Sequence, residues 1–437
     1  MLPKIKDDYC HFHPYMLKCQ KENRYGGNTM IVKQYIKDFE QLGFGMFIHF
    51  GLYSMMECGE WNKLSNNVPD AEYEAYAEKF NPKPDWAMEI AKMAKNAGCK
   101  YITLTTRHHD GYSLFDTCGL NDYDAPHSCG RDLVREFVDA CRANDIIPFF
   151  YHTLLDWREE SYKTNFPEYL KYLRRSVEIL CTNYGKIGGL WFDGMWDKPN
   201  EDWEEDALYG TIRKHQPEAM IINNTGLSAR GALGHIELDS VTFERGKPEP
   251  LNMEGAPKYV ASEMCEVFAS HWGYAKEDLN FKSPAQMIRE LADCRRYGSN
   301  LLMNLGPMGD GSIRPIDHAI FGILGEWVKY YDEAIRRPLP CGIQIEDKED
   351  DFLLKDGKNY YLFCYGLPMS ADLNVALKEE ANYIEKFKLP EKISSVTWMD
   401  DNTAVDFTQD DEDVIIKTVP FTYGRDLVVR VAKIVCE

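Results

Sequence analysis

Between about residues 43 and 335, short β-rich apolar runs alternate with segments whose apolar residues recur at i, i+3 and i+4. Residues 44–50, 101–106, 146–151, 189–192, 220–223 and 301–305 read as strands, and 236–243 and 259–264 as two weaker strands around a Gly/Pro-rich middle. Helical spacing covers 85–97, 132–143, 168–184, 204–215 and 284–297. Strands and helices in alternation predict a parallel sheet with crossover helices.

The polar residues decide between an open sheet and a closed one. Nearly every strand ends, on its carboxyl side, in groups suited to chemistry: His49, then Arg107-His108-His109-Asp110, His152, Asp193, Asn223-Asn224, and Asn304 in the last strand. Such convergence is what a (β/α)8 barrel does, since its active site is built from strand carboxyl ends. No Gly-x-Gly-x-x-Gly or Walker motif follows the first strand, which removes support for a nucleotide-binding sheet. After Pro338-Leu339-Pro340 the pattern changes to strands alone: 352–354, a Lys355-Asp356-Gly357-Lys358 turn and 360–365 as a hairpin, then 396–398, 414–419 and 427–431. The expected fold is therefore α/β: a (β/α)8-like TIM barrel with an N-terminal extension over 1–337, and a C-terminal antiparallel β-sandwich over 338–437.

Composition narrows the class of protein. The 437 residues are 44% hydrophobic and 27% charged, which is globular, and long enough for one large barrel and a smaller domain. Seventy acidic against 50 basic residues give a net charge of −20, which would repel a nucleic acid or an anionic membrane. No run of about 18 apolar residues occurs, and the start Met1-Leu2-Pro3-Lys4 lacks a secretory apolar segment, so a cytoplasmic location is expected. Thirteen cysteines without Cys-x-x-Cys read as reduced and mostly structural, with neither a disulfide framework nor a zinc ribbon.

Asp193 ends the apolar run Leu190-Trp191-Phe192-Asp193-Gly194, where a carboxylate at a barrel mouth is placed as a nucleophile or base and the glycine would admit a close ligand. The plainer reading is a loop cap. Cleaving a glycoside needs a second carboxylate. The long connection 226–259 offers Glu237, Glu244, Glu249 and Glu254, and Glu263 follows; for any one of these taken alone, a solvated surface role is the default. His49, His108, His109 and His152 fit either a zinc site or hydrogen bonds to sugar hydroxyls. Adjacent residues of a strand face opposite ways, so His108 and His109 share a ligand only if the strand has already ended. Trp61, Trp191, Trp272 and Phe47 supply flat apolar surface of the kind that packs on a pyranose, although aromatics are usually core.

Together the segments resemble the retaining α-L-fucosidases of glycoside hydrolase family 29. The matching stretches are Phe44-Gly45-Met46-Phe47-Ile48-His49-Phe50-Gly51-Leu52-Tyr53-Ser54, Glu60-Trp61, Leu104-Thr105-Thr106-Arg107-His108-His109-Asp110-Gly111-Tyr112, Leu155-Asp156-Trp157, Leu190-Trp191-Phe192-Asp193, His271-Trp272-Gly273-Tyr274 and Asn300-Leu301-Leu302-Met303-Asn304-Leu305-Gly306-Pro307 before Asp310-Gly311. The resemblance implies Asp193 as nucleophile. It also implies His49, Glu60, Trp61, His108, His109 and Trp191 as sugar-binding residues, and Phe47 and Trp272 as an apolar pocket for the C5 methyl. An apolar wall selects methyl over hydroxymethyl by desolvating the hydroxyl. The family's strand-three tyrosine aligns with His152, with Tyr151 adjacent. Where some members carry an arginine after the fifth strand, this chain reads Asn224-Thr225-Gly226, and it has His49-Phe50-Gly51 where His-Trp-Gly is usual. The acid/base position matches Glu244 in Thr242-Phe243-Glu244, with Glu263 as its rival and Glu237 next.

The resulting expectation is an exo-acting retaining α-L-fucosidase that hydrolyses terminal fucosides of oligosaccharides or glycoconjugates by double displacement. It would need neither metal nor organic cofactor, and would have no nucleic-acid or membrane partner; self-assembly stays open. The alternatives are a fucose-binding protein with impaired turnover and a metal-dependent barrel hydrolase.

Overall fold

The computed structural model describes residues 30–224, 231–254, 256–369 and 383–437; Thr225 and Gly226, like the amino-terminal start, lie outside them. Eight parallel strands close into a barrel in chain order: β1 (Phe44–Ile48), β2 (Tyr101–Arg107), β3 (Ile147–Thr153), β4 (Gly189–Asp193), β5 (Met220–Asn223), β6 (Ser240–Glu244), β7 (Ala261–Glu266) and β8 (Asn300–Leu305). β8 returns to β1 with Phe47 opposite Asn304.

Side-chain alternation sorts the two cores. Leu190 and Phe192 pack outward among the helices, and Trp191 inward; Phe150 goes out while Phe149 and Tyr151 go in. Both faces are thus buried, which is why these strands read as nearly unbroken apolar runs. The helix Gln34–Glu40 adds Ile36 and Phe39 to the inner core, with the Phe39 ring 5.5 Å from that of Tyr101 and 5.7 Å from that of Phe149, so it plugs the floor.

The sixth strand begins at Ser240 rather than 236 because Asp239, fully buried, is already committed at the barrel floor. It accepts from the Ile221 amide at 2.9 Å and from Lys258 at 2.8 Å, and pairs with Arg213. Ile236, outside this anchor, is exposed.

The outer helices follow the expected segments. Asp132 accepts from the Arg135 amide at the start of Leu133–Ala143, and Ser283 with Gln286 forms a capping box ahead of Pro284–Arg296. The last barrel helix, Pro315–Arg336, leads to the C-terminal strands β9 (Leu339–Pro340), β10 (Phe352–Asp356), β11 (Asn359–Tyr365), β12 (Tyr383–Lys388), β13 (Ile393–Trp398), β14 (Phe407–Asp410), β15 (Asp413–Thr418) and β16 (Val429–Cys436). They form a five-stranded sheet, β13-β16-β11-β10-β9, facing a three-stranded one, β12-β15-β14. Phe352, Leu354, Tyr361, Phe363, Val429 and Val431 pack toward the barrel helices, while Leu353, Leu362, Cys364 and Ile434 pack into the sandwich. Trp327 donates to the Val429 carbonyl at 3.0 Å and ties the two domains.

Inside the sandwich Asp351, Cys364 and Glu385 bring three ligand-type atoms within 4.8 Å of one another, and among the described residues this is the one such group. A cation already serves it: Lys348 Nζ lies 3.7 Å from Glu385 Oε1 and 4.0 Å from Asp351 Oδ2. With two buried carboxyls for one ammonium, burial and then the charge of Asp351 push Glu385 up to about 7. The eleven cysteines of the described residues are free. Among those residues no helix is long and apolar enough to cross a membrane.

Candidate active site

The carboxyl ends of the strands converge as the pattern requires. Asp193 closes β4, and its two oxygens are treated differently. Oδ1 accepts from the Gly194 amide at 2.9 Å, from Trp196 Nε1 at 3.0 Å and from Asn224 Nδ2 at 3.3 Å. Oδ2 has fewer contacts, accepting from Tyr151 Oη at 3.3 Å and lying 3.6 Å from His109 Nε2. Burial pushes the Asp193 carboxyl upward, but His109, Trp196 and the Gly194 amide outweigh it and hold the group below its ordinary value. Gly194 has φ 102°, and a Cβ there would lie 3.0 Å from Leu155. The glycine is therefore required by the turn that aims its own N–H at Asp193, rather than by an approaching ligand.

Around this carboxylate stand the histidines. β2 ends at Arg107, so His108 and His109 escape strand alternation and both rings lie at the mouth, 4.3 Å apart. His109 is fixed by Nδ1 to Thr153 Oγ1 at 2.7 Å, and His49 by Nδ1 to Asn304 Oδ1 at 2.7 Å. Burial lowers His49 to about 3 and holds His108 well below its ordinary value, so both rings are neutral. His108 Nδ1 is buried without a hydrogen-bond partner among the described residues. Glu60 accepts from the Gly273 amide at 2.7 Å, and its burial raises its carboxyl. Trp61 follows, its ring 5.4 Å from His109, 5.3 Å from Trp157 and 6.0 Å from Trp196. Phe47, Trp272 and Trp191 close an apolar corner, Phe47 lying 5.9 Å from Trp272 and 5.2 Å from Trp191 between ring centroids.

Glu244 closes β6 and accepts from Asn224 Nδ2 at 2.6 Å, the same nitrogen that reaches Asp193. The two other glutamates are elsewhere. Glu263 pairs in register with Thr242, one layer deeper than Glu244, which pairs with Cys265. It is buried in the barrel interior, where Trp191 Nε1 donates to it at 3.0 Å and Tyr101 Oη also donates. Burial lifts it to about 7. Glu237 precedes β6 at the opposite end of the barrel, held by Arg213 Nε at 2.9 Å. Neither faces Asp193, which corrects their standing as acid/base candidates.

His152 also needs correction as a sugar-binding candidate. On β3 it points opposite to Tyr151 and Thr153, into the helix layer, where Nε2 meets Ser176 Oγ at 2.7 Å; burial lowers it to about 3. Tyr151 is the member of that pair in the site. Asn224 is marked in the sequence only as a polar strand end without a role, and Trp196 is not marked at all. Asn224 stands one residue past the apolar run of β5 and Trp196 three past Asp193, in the short 3-10 turn Met195–Asp197. Those positions at a strand mouth are the only signal they give.

A barrel whose mouth joins two carboxylates through one amide, beside neutral histidines and aromatic walls, defines the class of site found in barrel glycoside hydrolases. Residues 16–333 match the family model for α-L-fucosidase. The tissue α-L-fucosidase of Bos taurus is 29% identical over 346 residues, 70% of this chain and 70% of its own. Plasma α-L-fucosidase of Homo sapiens is 26% identical over 329 residues, 68% of each chain. α-L-Fucosidase isoenzyme 1 from Paenibacillus thiaminolyticus superposes with a TM-score of 0.78 at 28% identity, covering 92% of this chain and 99% of that one. The chain belongs to the α-L-fucosidase family and is a glycoside hydrolase. The cytoplasmic location expected from the amino terminus is overturned by these relatives, which are tissue and plasma enzymes by name.

Proposed function

We propose that the protein removes terminal α-L-fucosyl units with net retention, Asp193 acting as nucleophile and Glu244 as acid/base. The observation that carries this reading is the shared amide: Asn224 Nδ2 bonds Asp193 Oδ1 at 3.3 Å and Glu244 Oε2 at 2.6 Å. One nitrogen spanning both keeps the two bridged oxygens within about 6 Å, so the acids stand side by side, an arrangement compatible with the close carboxyl pair of double displacement.

In the first step Oδ2, the oxygen with the fewer contacts, attacks the anomeric carbon. The C1–O bond breaks, and Glu244 passes its proton to the departing oxygen. In the second, Glu244 as carboxylate takes a proton from water; the water oxygen bonds C1, and the C1–Oδ2 ester bond breaks to free Asp193 and fucose. The neutral ring of His49 gives its Nδ1–H to Asn304 and keeps Nε2 as an acceptor for a sugar hydroxyl, with the neutral ring of His108 beside it, 5.7 Å away between ring centroids. Phe47 and Trp272 would receive the C5 methyl. The same reading places the catalytic barrel in residues 1–337 and the β-sandwich in 338–437, a division supported by the helix end at Arg336 and the start of β9 at Leu339.

The test is the anomer first released from an aryl α-L-fucoside, followed by proton NMR before mutarotation. Retention gives α-L-fucose first; β-L-fucose first would reject the double displacement.

A further inference from the structure

Asn224 is 2% exposed, and every polar atom of its side chain is engaged. Nδ2 carries two hydrogens and has two carboxylate oxygens before it, Glu244 Oε2 at 2.6 Å and Asp193 Oδ1 at 3.3 Å. Its Oδ1 accepts from Thr242 Oγ1 at 3.2 Å, and its backbone N–H donates to the Phe192 carbonyl at 2.8 Å. Chemistry fixes the orientation of the amide: an ionised carboxylate only accepts, so the NH2 group faces the acids and the Thr242 hydroxyl donates to the carbonyl. Thr242 and Glu244 are two residues apart on β6 and share its inner face, while Phe192 adjoins Asp193 on β4. Asn224 therefore grips both strands that carry the acids.

We infer that Asn224 is a positioning residue that couples the two carboxylates through the catalytic cycle, an inference that rests on the roles given above to Asp193 and Glu244. Before attack the charge is on Asp193 and the proton on Glu244. After the first step Asp193 is an ester and Glu244 has given its proton away, so the negative charge has crossed from one acid to the other while the total is unchanged. A neutral amide with one hydrogen on each acid serves both states, because the bond to whichever oxygen is ionised becomes the charge-assisted one. A third carboxylate at this place would raise both acids and disfavour the charge on Asp193. The amide supports each anion and adds no charge.

The experiment compares Asn224→Ala, Asn224→Asp and Glu244→Ala on a dinitrophenyl fucoside, whose phenolate leaves unaided, and on an alkyl fucoside, whose leaving oxygen needs a proton. Because the effect passes through Glu244, Asn224→Ala should lose at least tenfold more kcat/KM on the alkyl than on the dinitrophenyl substrate. Asn224→Asp, nearly the same shape, replaces the donor by a charge. Both limbs of its kcat/KM profile should move to higher pH, a readout that survives if the alanine variant fails to fold. Equal losses on the two substrates, or an unmoved pH profile in Asn224→Asp, would overturn the coupling role while Glu244→Ala still showed its own leaving-group dependence. If Glu244→Ala shows no such dependence, the acid/base assignment itself is wrong and the coupling falls with it.

Discussion

Trp196 Nε1 donates to Asp193 Oδ1 at 3.0 Å, a bond made to the proposed nucleophile by a residue only three positions further along the chain. With the Gly194 amide and Asn224 it saturates one oxygen and leaves the other for attack. His109, Trp196 and the Gly194 amide hold Asp193 below its ordinary carboxyl value against the opposing effect of burial. Asp193 must be ionised to attack, so loss of a donor raises its pKa and costs activity at low pH. In Trp196→Phe the acidic limb of kcat/KM should therefore move up by about one pH unit, equivalent to about 1.4 kcal/mol. An acidic limb that stays where it was would show that the indole does not tune the nucleophile.

The corner of Phe47 and Trp272, with Trp191 beneath, predicts how the sugar is chosen. An L-galactoside differs from a fucoside by a hydroxyl on C6, which this corner would desolvate without a partner. The fucoside should be preferred by roughly 10–200-fold in kcat/KM, the range expected for about 1–3 kcal/mol. Trp272→Ala should narrow that ratio while weakening both substrates, and a ratio unchanged by the substitution would place the C6 group elsewhere.

The barrel was legible because both faces of its strands are buried and their carboxyl ends are polar, a combination visible at Leu190-Trp191-Phe192-Asp193. Identity of the acids was only half legible. Glu244 and Glu263 lie on adjacent strands, and only the register, Glu263 opposite Thr242, shows that one is a layer deeper. The choice between Tyr151 and His152 turned on one residue of strand phase, which alignment does not carry. Asn224 and Trp196 act by hydrogen bonds across strands and turns, and no spacing encodes those. The floor helix Gln34–Glu40 was missed because its seven residues are too few to show a helical period.

In the sandwich, Glu385 on β12 faces Asp351, Cys364 and Thr418, with Lys348 as the nearby cation. Burial and Asp351 raise it to about 7 from the unfolded value of 4.5. A carboxyl raised on folding keeps its full contribution below the unfolded pKa and loses it as pH climbs toward the folded one. Thermal stability should therefore fall between about pH 4.5 and 7. Glu385→Gln should match the wild type near pH 4 and melt higher at pH 8. Parallel melting curves for the two proteins across that window would show that Lys348 fully compensates the pair.

His49 and His109 are each tied by Nδ1 to a neutral oxygen, of Asn304 and Thr153, and the three mouth histidines do not gather as a ligand set. Exhaustive dialysis against a chelator should leave kcat/KM within about twofold of its starting value, and elemental analysis should find no stoichiometric transition metal. Loss of activity restored by added zinc would transfer the histidines from sugar binding to metal binding.

Everything said of the mechanism depends on Asp193 forming a bond to the sugar. A 2-deoxy-2-fluoro-fucosyl fluoride slows both steps but the second more, so the ester accumulates and can be located by peptide mapping. The peptide containing Leu190-Trp191-Phe192-Asp193 should gain one fluorofucosyl mass, placed on Asp193 by fragmentation, and Asp193→Gly should neither label nor turn over, with azide partly restoring turnover as the inverted fucosyl azide. Label on any other residue, or wild-type turnover in Asp193→Gly, would contradict the assignment.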